Sequence, residues 1–201
     1  ELLAAVEDLD ADDLAALADD LPHQVVYEAL QTRDEEEREQ VKAAMSYEDD
    51  QVGAVMDFEL VSVRADVACE VVLRYLRRFE SLPDHTDKIF VVDTEDTLIG
   101  VLPIRKLLVS DPEDLVETVM ATDVVRFRPT DNVEEAAQAF ERYDLVTAPV
   151  IDENNKLIGR ITIDEMVDVI REESEADMLN MAGLQEEEDL FAPVWHSVKN
   201  R

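Results

Sequence analysis

Up to about Tyr47, apolar residues recur at helical spacing against a background of alanine and acid. The set runs Leu14, Leu17 and Leu21, then Val25, Val26, Ala29 and Leu30, then Val41, Ala44 and Met45. Asp34 ahead of Glu35-Glu36-Glu37 reads as an N-cap with acids in the first turn, and Pro22 suits a helix start. No alternating β-branched run occurs here, so the pattern predicts three or four short helices in a small all-helical domain of antiparallel hairpins. From Met56 the period changes. Met56-Asp57 leads to a strand at 60–63, a helical stretch at 67–79, a strand at 89–93, a turn, a strand at 98–102 and a helix from Ile104. The same order returns after Met120-Ala121: a strand at 124–127, a helix at 133–143, strands at 148–152 and 157–161 around a turn, and a helix from Asp164. Val92-Asp93 and Leu98-Ile99-Gly100 correspond to Ile151-Asp152 and Leu157-Ile158-Gly159 at one offset of 59 residues, the mark of an internal duplication.

Charge alters what such a chain can bind. Its 201 residues carry 50 acidic against 18 basic side chains, a net charge of −32, yet 46% are apolar, enough for folded cores in one to three domains. That balance argues against nucleic acid and anionic lipid surfaces, which recruit clustered Lys and Arg, and favours cations or basic partners. A single cysteine, Cys69, excludes an intramolecular disulfide and a CxxC metal site, and fits a reducing compartment. No stretch approaches the roughly 18 to 20 apolar residues of a membrane span, and nothing reads as a signal peptide. The chain opens without methionine at Glu1-Leu2-Leu3 and closes mid-pattern at Val198-Lys199-Asn200-Arg201, so it reads as a fragment of something longer.

The helix after Thr162 carries two stripes. Met166, Val169 and Ile170 are apolar, while Glu165, Asp168, Glu172 and Glu175 follow at three- and four-residue steps, with Glu173 and Asp177 as a further i, i+4 pair. Two carboxylates about 5 Å apart, at an effective dielectric of about 20, repel by roughly 3 kcal/mol before salt screening. A divalent cation reverses that sign. Mg²⁺ prefers oxygen ligands and keeps several waters while using one or two carboxylates, so acids from several domains can share ions without a dedicated cage. On spacing alone, an ordinary solvated acidic face is the better explanation of the stripe.

The repeat, with Ala148-Pro149-Val150-Ile151-Asp152 and then Leu157-Ile158-Gly159-Arg160-Ile161-Thr162-Ile163-Asp164-Glu165, resembles a CBS-domain pair. The larger order is more specific: an acidic helical domain, Tyr47-Glu48-Asp49-Asp50-Gln51-Val52-Gly53-Ala54-Val55-Met56, the pair, then the run from Ile170 to Met178. Over nearly its whole length the chain is similar to the cytosolic part of the MgtE family of magnesium channels. The resemblance implies an α+β chain: 1–52 an acidic all-helical domain, 53–118 and 119–178 the tandem CBS domains, and 179–201 a connecting segment that starts an amphipathic C-terminal helix. It places the family's Mg²⁺-sensing acids on Glu134, Asp144, Glu165, Asp168, Glu173 and Asp177, and a backbone oxygen on Ala54. In the helical domain it places one on Asp12, with Asp13, Asp49 and Asp50 as substitutes. Ala16 and Ala176 stand where further acids are expected.

CBS pairs also take adenine nucleotides through a Gly-x-x-Ser/Thr-x-x-Asp/Glu element. Gly159, Thr162 and Glu165 fit it for ATP or AMP, whereas Gly100, Pro103 and Lys106 lose both hydroxyl and acid; Thr162 also suits a helix N-cap. His23, His85 and His196 lie apart with no i, i+4 partner and read as surface or packing residues. No phosphate loop or nucleophile–base motif is present, so no enzyme is expected. At the tail, Glu186-Glu187-Glu188-Asp189 precede Leu190, Phe191, Val194, Trp195 and Val198, with Lys199 and Arg201 last, a charge order suited to a helix dipole.

The resulting expectation is a cytosolic Mg²⁺ sensor that gates its own multi-pass channel domain at the cytoplasmic side of the cell membrane. The family implies a homodimer. The alternatives are a nucleotide-sensing CBS module of an enzyme or another transporter, and an acidic scaffold without ligand.

Overall fold

Helix α1, Glu35–Ala44, begins on acids and ends with Lys42, whose ammonium lies 3.0 Å from Glu39. Its Val41 and Ala44 face inward, and Val41 joins Leu14 and Ala29 in a small core bordered by Leu9, Leu21, Val25, Leu30 and Phe58. The computed structural model describes residues 35–171 continuously, together with Leu9, Leu14, Leu17, Leu21, Val25, Val26, Ala29 and Leu30. The expected helix starts at Pro22 and Asp34 fall outside these residues, as does everything from 172 onward.

After the 3₁₀ turn Val52–Val55 come strand β1 (Ser62–Arg64), helix α2 (Cys69–Leu76), strands β2 (Lys88–Val92) and β3 (Leu98–Pro103), and the short helices α3 (Ile104–Leu107) and α4 (Val116–Val119). Helix α5 (Val133–Tyr143) and strands β4 (Thr147–Ile151) and β5 (Leu157–Thr162) follow, and helix α6 runs over 163–171. β1 pairs parallel with β2, which pairs antiparallel with β3; β4 and β5 form a second antiparallel pair. The mixture of helix and short sheets is α+β, as the sequence predicts.

The duplication reaches atomic detail. Both hairpins slip register at the same point, between Val91 and Val92 and between Val150 and Ile151. In one turn the Asp93 carboxylate accepts from the Glu95 and Thr97 N–H groups, and in the other Asp152 accepts from Asn154 and Lys156. These amide bonds favour the charged form and lower both aspartates below the ordinary carboxylate range. The residue completing each turn, Asp96 or Asn155, is left-handed, at φ 63° and 61°, where Asp and Asn are tolerated best after glycine. The two turns bond to one another, Leu98 N–H to the Asn155 carbonyl and Leu157 N–H to that of Asp96. At the other end of the seam, the Lys88 ammonium donates to the Thr147 carbonyl at 2.7 Å, and the Thr147 hydroxyl donates to Asp87.

Sequence order and spatial order part company in the linkers. Each repeat is completed by the segment that precedes the other one. Met120-Ala121 lies on β3, with Val101 and Ala121 exchanging N–H···O bonds of 2.9 and 2.8 Å; Met56-Asp57 lies on β5, where Asp57 and Arg160 exchange the same pair. The approach is close enough to require glycine beneath it: a Cβ on Gly100 would sit 2.7 Å from the Ala121 oxygen, and one on Gly159 2.5 Å from Met56. Likewise Val52 N–H bonds to the Asp131 carbonyl and Val133 N–H to that of Asp50, matching Val116 to Val67 and Cys69 to Asp114.

Two expected elements differ. The helix predicted over 67–79 is Cys69–Leu76, because Val67 and Ala68 are extended to pair with 115–116. The strand predicted at 124–127 reduces to one bridge between Phe127 and Val150, Phe127 N–H bonding to Pro149 and Ile151 N–H to Phe127.

Candidate functional site

Helix α6 leaves β5 directly, so its first turn is fixed by the strand, and Ile163 N–H is still held by the Val146 carbonyl. Met166 is fully buried in the core of the second repeat, beside Val52, Met56, Phe140 and Ile161, which turns Asp164 and Asp168 outward. Asp168 is 69% exposed, with Arg171 3.4 Å away one turn on; Glu165 is half-buried. Asp164 is already engaged: His85 Nε2 stands 2.6 Å from its carboxylate, and the Thr162 hydroxyl donates to it at 3.2 Å.

Helix α5 supplies two further acids at opposite ends. Glu134 is exposed in the first turn, behind an Asn132 cap that accepts from Glu135 N–H. Asp144 caps the C-terminus in the left-handed conformation, φ 50°, and is exposed. Ala54 is half-buried in the 3₁₀ turn, three residues before Asp57. The structure thus places Ala54, Glu134, Asp144, Glu165 and Asp168 on the second repeat or on the linker bonded to it. Asp12, Glu173 and Asp177 lie outside the described residues.

Among the described residues, no three His, Cys, Asp or Glu side chains converge as a metal cluster. Carboxylates and a carbonyl, the groups that the sequence singles out, are the oxygen donors that a hard cation such as Mg²⁺ prefers. Their exposure suits an ion that retains water.

The nucleotide element has structural work to do as it stands. Gly159 is filled from above by Met56 and the Asp57 carbonyl, and Thr162 is buried with its hydroxyl on Asp164. At the corresponding positions of the first repeat, Arg105 and Lys106 replace Asp164 and Glu165, so only the second repeat carries the acid.

One feature escaped the sequence entirely. Arg160 is 4% exposed, and its Nε and Nη2 lie 2.7 and 2.6 Å from Asp57 Oδ2, itself 14% exposed, while Nη1 donates to the Asp84 carbonyl at 2.8 Å. Nothing local could have shown it, since the partners are 103 and 76 residues away.

Residues 1–50 match the model of the MgtE intracellular N domain, and residues 116–172 that of the CBS domain. The crystal structure of the cytosolic domain of the Mg²⁺ channel MgtE in complex with ATP is 36% identical and superimposes with a TM-score of 0.76, over 84% of this chain and 69% of that one. This chain belongs to the MgtE family. The MgtE magnesium transporter of Thermus thermophilus is 38% identical over 141 residues, 70% of this chain. The crystal structure of the soluble part of a magnesium transporter gives a TM-score of 0.78 at 28% identity, covering 84% of this chain and 66% of that one. The chain spans 31% of the length of the Thermus MgtE transporter, and among its described residues no helix is long and apolar enough to cross a membrane. Its MgtE relatives are magnesium transporters, not enzymes, and it is similar to the part of them crystallised as the cytosolic domain.

Proposed function

We propose that this chain senses Mg²⁺ and gates a magnesium channel, with Mg²⁺ bridging carboxylates of the helical domain, the CBS pair and the connecting segment in a compact, closed state. The observation that carries the reading is the path of the linker. The segment that leaves the helical domain, 50–57, is bonded into the second repeat at the strand from which the acidic helix springs. Phe58, next along, packs against the cores of both the helical domain and the second repeat. The linker thereby ties the helical domain to the second repeat in a chain of net charge −32, where acids brought together without counter-ions repel. Mg²⁺ shifts the balance by its differential affinity for the compact state, which suits several weak sites acting together. Asp12, Glu134, Asp144, Glu165, Asp168, Glu173, Asp177 and the Ala54 carbonyl are the proposed ligands. The protein works as a homodimer attached to its own transmembrane domain, on the cytoplasmic side of the membrane.

A second reading is ATP or AMP binding at Gly159, Thr162 and Glu165, favoured by the ATP held in the 36%-identical relative. Gel filtration separates the two. At constant ionic strength, Mg²⁺ is expected to reduce the hydrodynamic radius, and adenine nucleotide in Mg²⁺-free buffer is not. A matched monovalent salt that reproduces the Mg²⁺ effect contradicts the sensing reading, because the acids are then only screened.

A further inference from the structure

The fold contains its own control for the Arg160 ion pair. At the pseudo-equivalent position of the first repeat, Val101 and Ala121 make the same two backbone bonds that Arg160 and Asp57 make in the second. An apolar pair therefore satisfies the architecture, and a buried ion pair in its place is not needed to close the sheet. Buried pairs of this kind are weak evidence for stability, since desolvation offsets most of the attraction. The ion pair occurs in the repeat that bears the acidic helix, and the apolar pair in the repeat where Arg105-Lys106 stands instead.

The guanidinium also does what no apolar side chain could, joining three separate stretches. Nε and Nη2 hold Asp57, three residues beyond Ala54; Nη1 holds the carbonyl of Asp84; and the next residue, His85, holds Asp164 in the first turn of α6. Arg160 itself stands three residues before that helix begins.

We propose that Arg160 is a positioning residue for the cation-sensing surface. Through Asp57 it fixes the linker that carries Ala54, and through the 84–85 loop it fixes the base of the helix that carries Glu165 and Asp168, so both arrive in register for a shared ion. This role rests on the Mg²⁺-sensing reading above. Groups that orient ligands without touching the metal typically contribute about tenfold or more in affinity.

The test uses two variants of the chain, Asp57→Ala with Arg160→Val, which copies the first repeat, and Arg160→Lys, which keeps a charge opposite Asp57 but lacks the fork that also reaches Asp84. Thermal unfolding without Mg²⁺ reads the structural role. The Mg²⁺ concentration for half-maximal compaction, at constant ionic strength, reads the positioning role. The double variant is expected to remain folded and to need about tenfold more Mg²⁺, with Arg160→Lys between it and the parent. Variants that compact at the parent's Mg²⁺ concentration, whatever their thermal stability, overturn the positioning role while leaving Mg²⁺ sensing intact. A parent that shows no Mg²⁺-specific compaction overturns the sensing reading and this role with it.

Discussion

Asp57→Ala is expected to lower the stability of the second repeat by about 3–5 kcal/mol, a fall of roughly 10 °C in the thermal midpoint of a chain this long. The cause is what the substitution leaves behind. Arg160 is 4% exposed, and without the carboxylate its guanidinium is left on the neutral carbonyl of Asp84, a buried charge that has lost its counter-charge. The reciprocal backbone bonds between residues 57 and 160 survive, since they need no particular side chain, so the loss isolates the charge itself. Adding Arg160→Val to Asp57→Ala should recover much of the stability, because the second change removes the stranded charge. A double variant less stable than the single one by the full cost of losing Arg160 packing would show that the two residues act independently. Calorimetric unfolding of parent, both singles and the double closes that cycle.

Asp168→Ala with Glu173→Ala is expected to act in the opposite manner, leaving the Mg²⁺-free fold nearly unchanged while raising the Mg²⁺ midpoint at least about tenfold, the equivalent of about 1.4 kcal/mol. Asp168 is 69% exposed, and its contact to Arg171 at 3.4 Å is a surface pair of one helix turn, worth at most about 0.5 kcal/mol. Removing acids from a chain of net charge −32 also relieves self-repulsion, so the apo state gains what the lost pair gave up. Selective loss of the Mg²⁺ response with retained unfolding behaviour therefore identifies the carboxylates as ion-bridging. A double variant that compacts at the parent's Mg²⁺ concentration removes them from the site.

How much of this was legible in the sequence depends on how local each feature is. The hairpins at 88–103 and 147–162 were readable because their apolar runs, turn acids and glycines recur at a fixed offset, and the structure repeats even the left-handed Asp96 and Asn155. The short strand at 62–64 was readable within two residues, whereas 124–127 has the same apolar character yet makes one bridge, since pairing depends on what lies opposite. The exchange of linkers left only an indirect trace. Gly100 and Gly159 looked like motif glycines, and the reason for them is the backbone crossing above each, which periodicity does not encode. Arg160 stood in the sequence only as one residue of the CBS-like strand motif, and His85 as a surface or packing histidine. Their partners Asp57 and Asp164 are distant in sequence, so no spacing rule could join them. The acids of α6 were visible as a stripe, but exposure, not convergence, is what the fold confers on Asp168.

Limited proteolysis of the chain across a millimolar Mg²⁺ titration, with ionic strength held constant by a monovalent salt, tests Mg²⁺-bridged closure most directly. Protection of the linker at 51–56 and of the region around Glu173, growing with Mg²⁺ and not with the matched salt, is the predicted result. Cleavage at equal rates throughout the titration would contradict it.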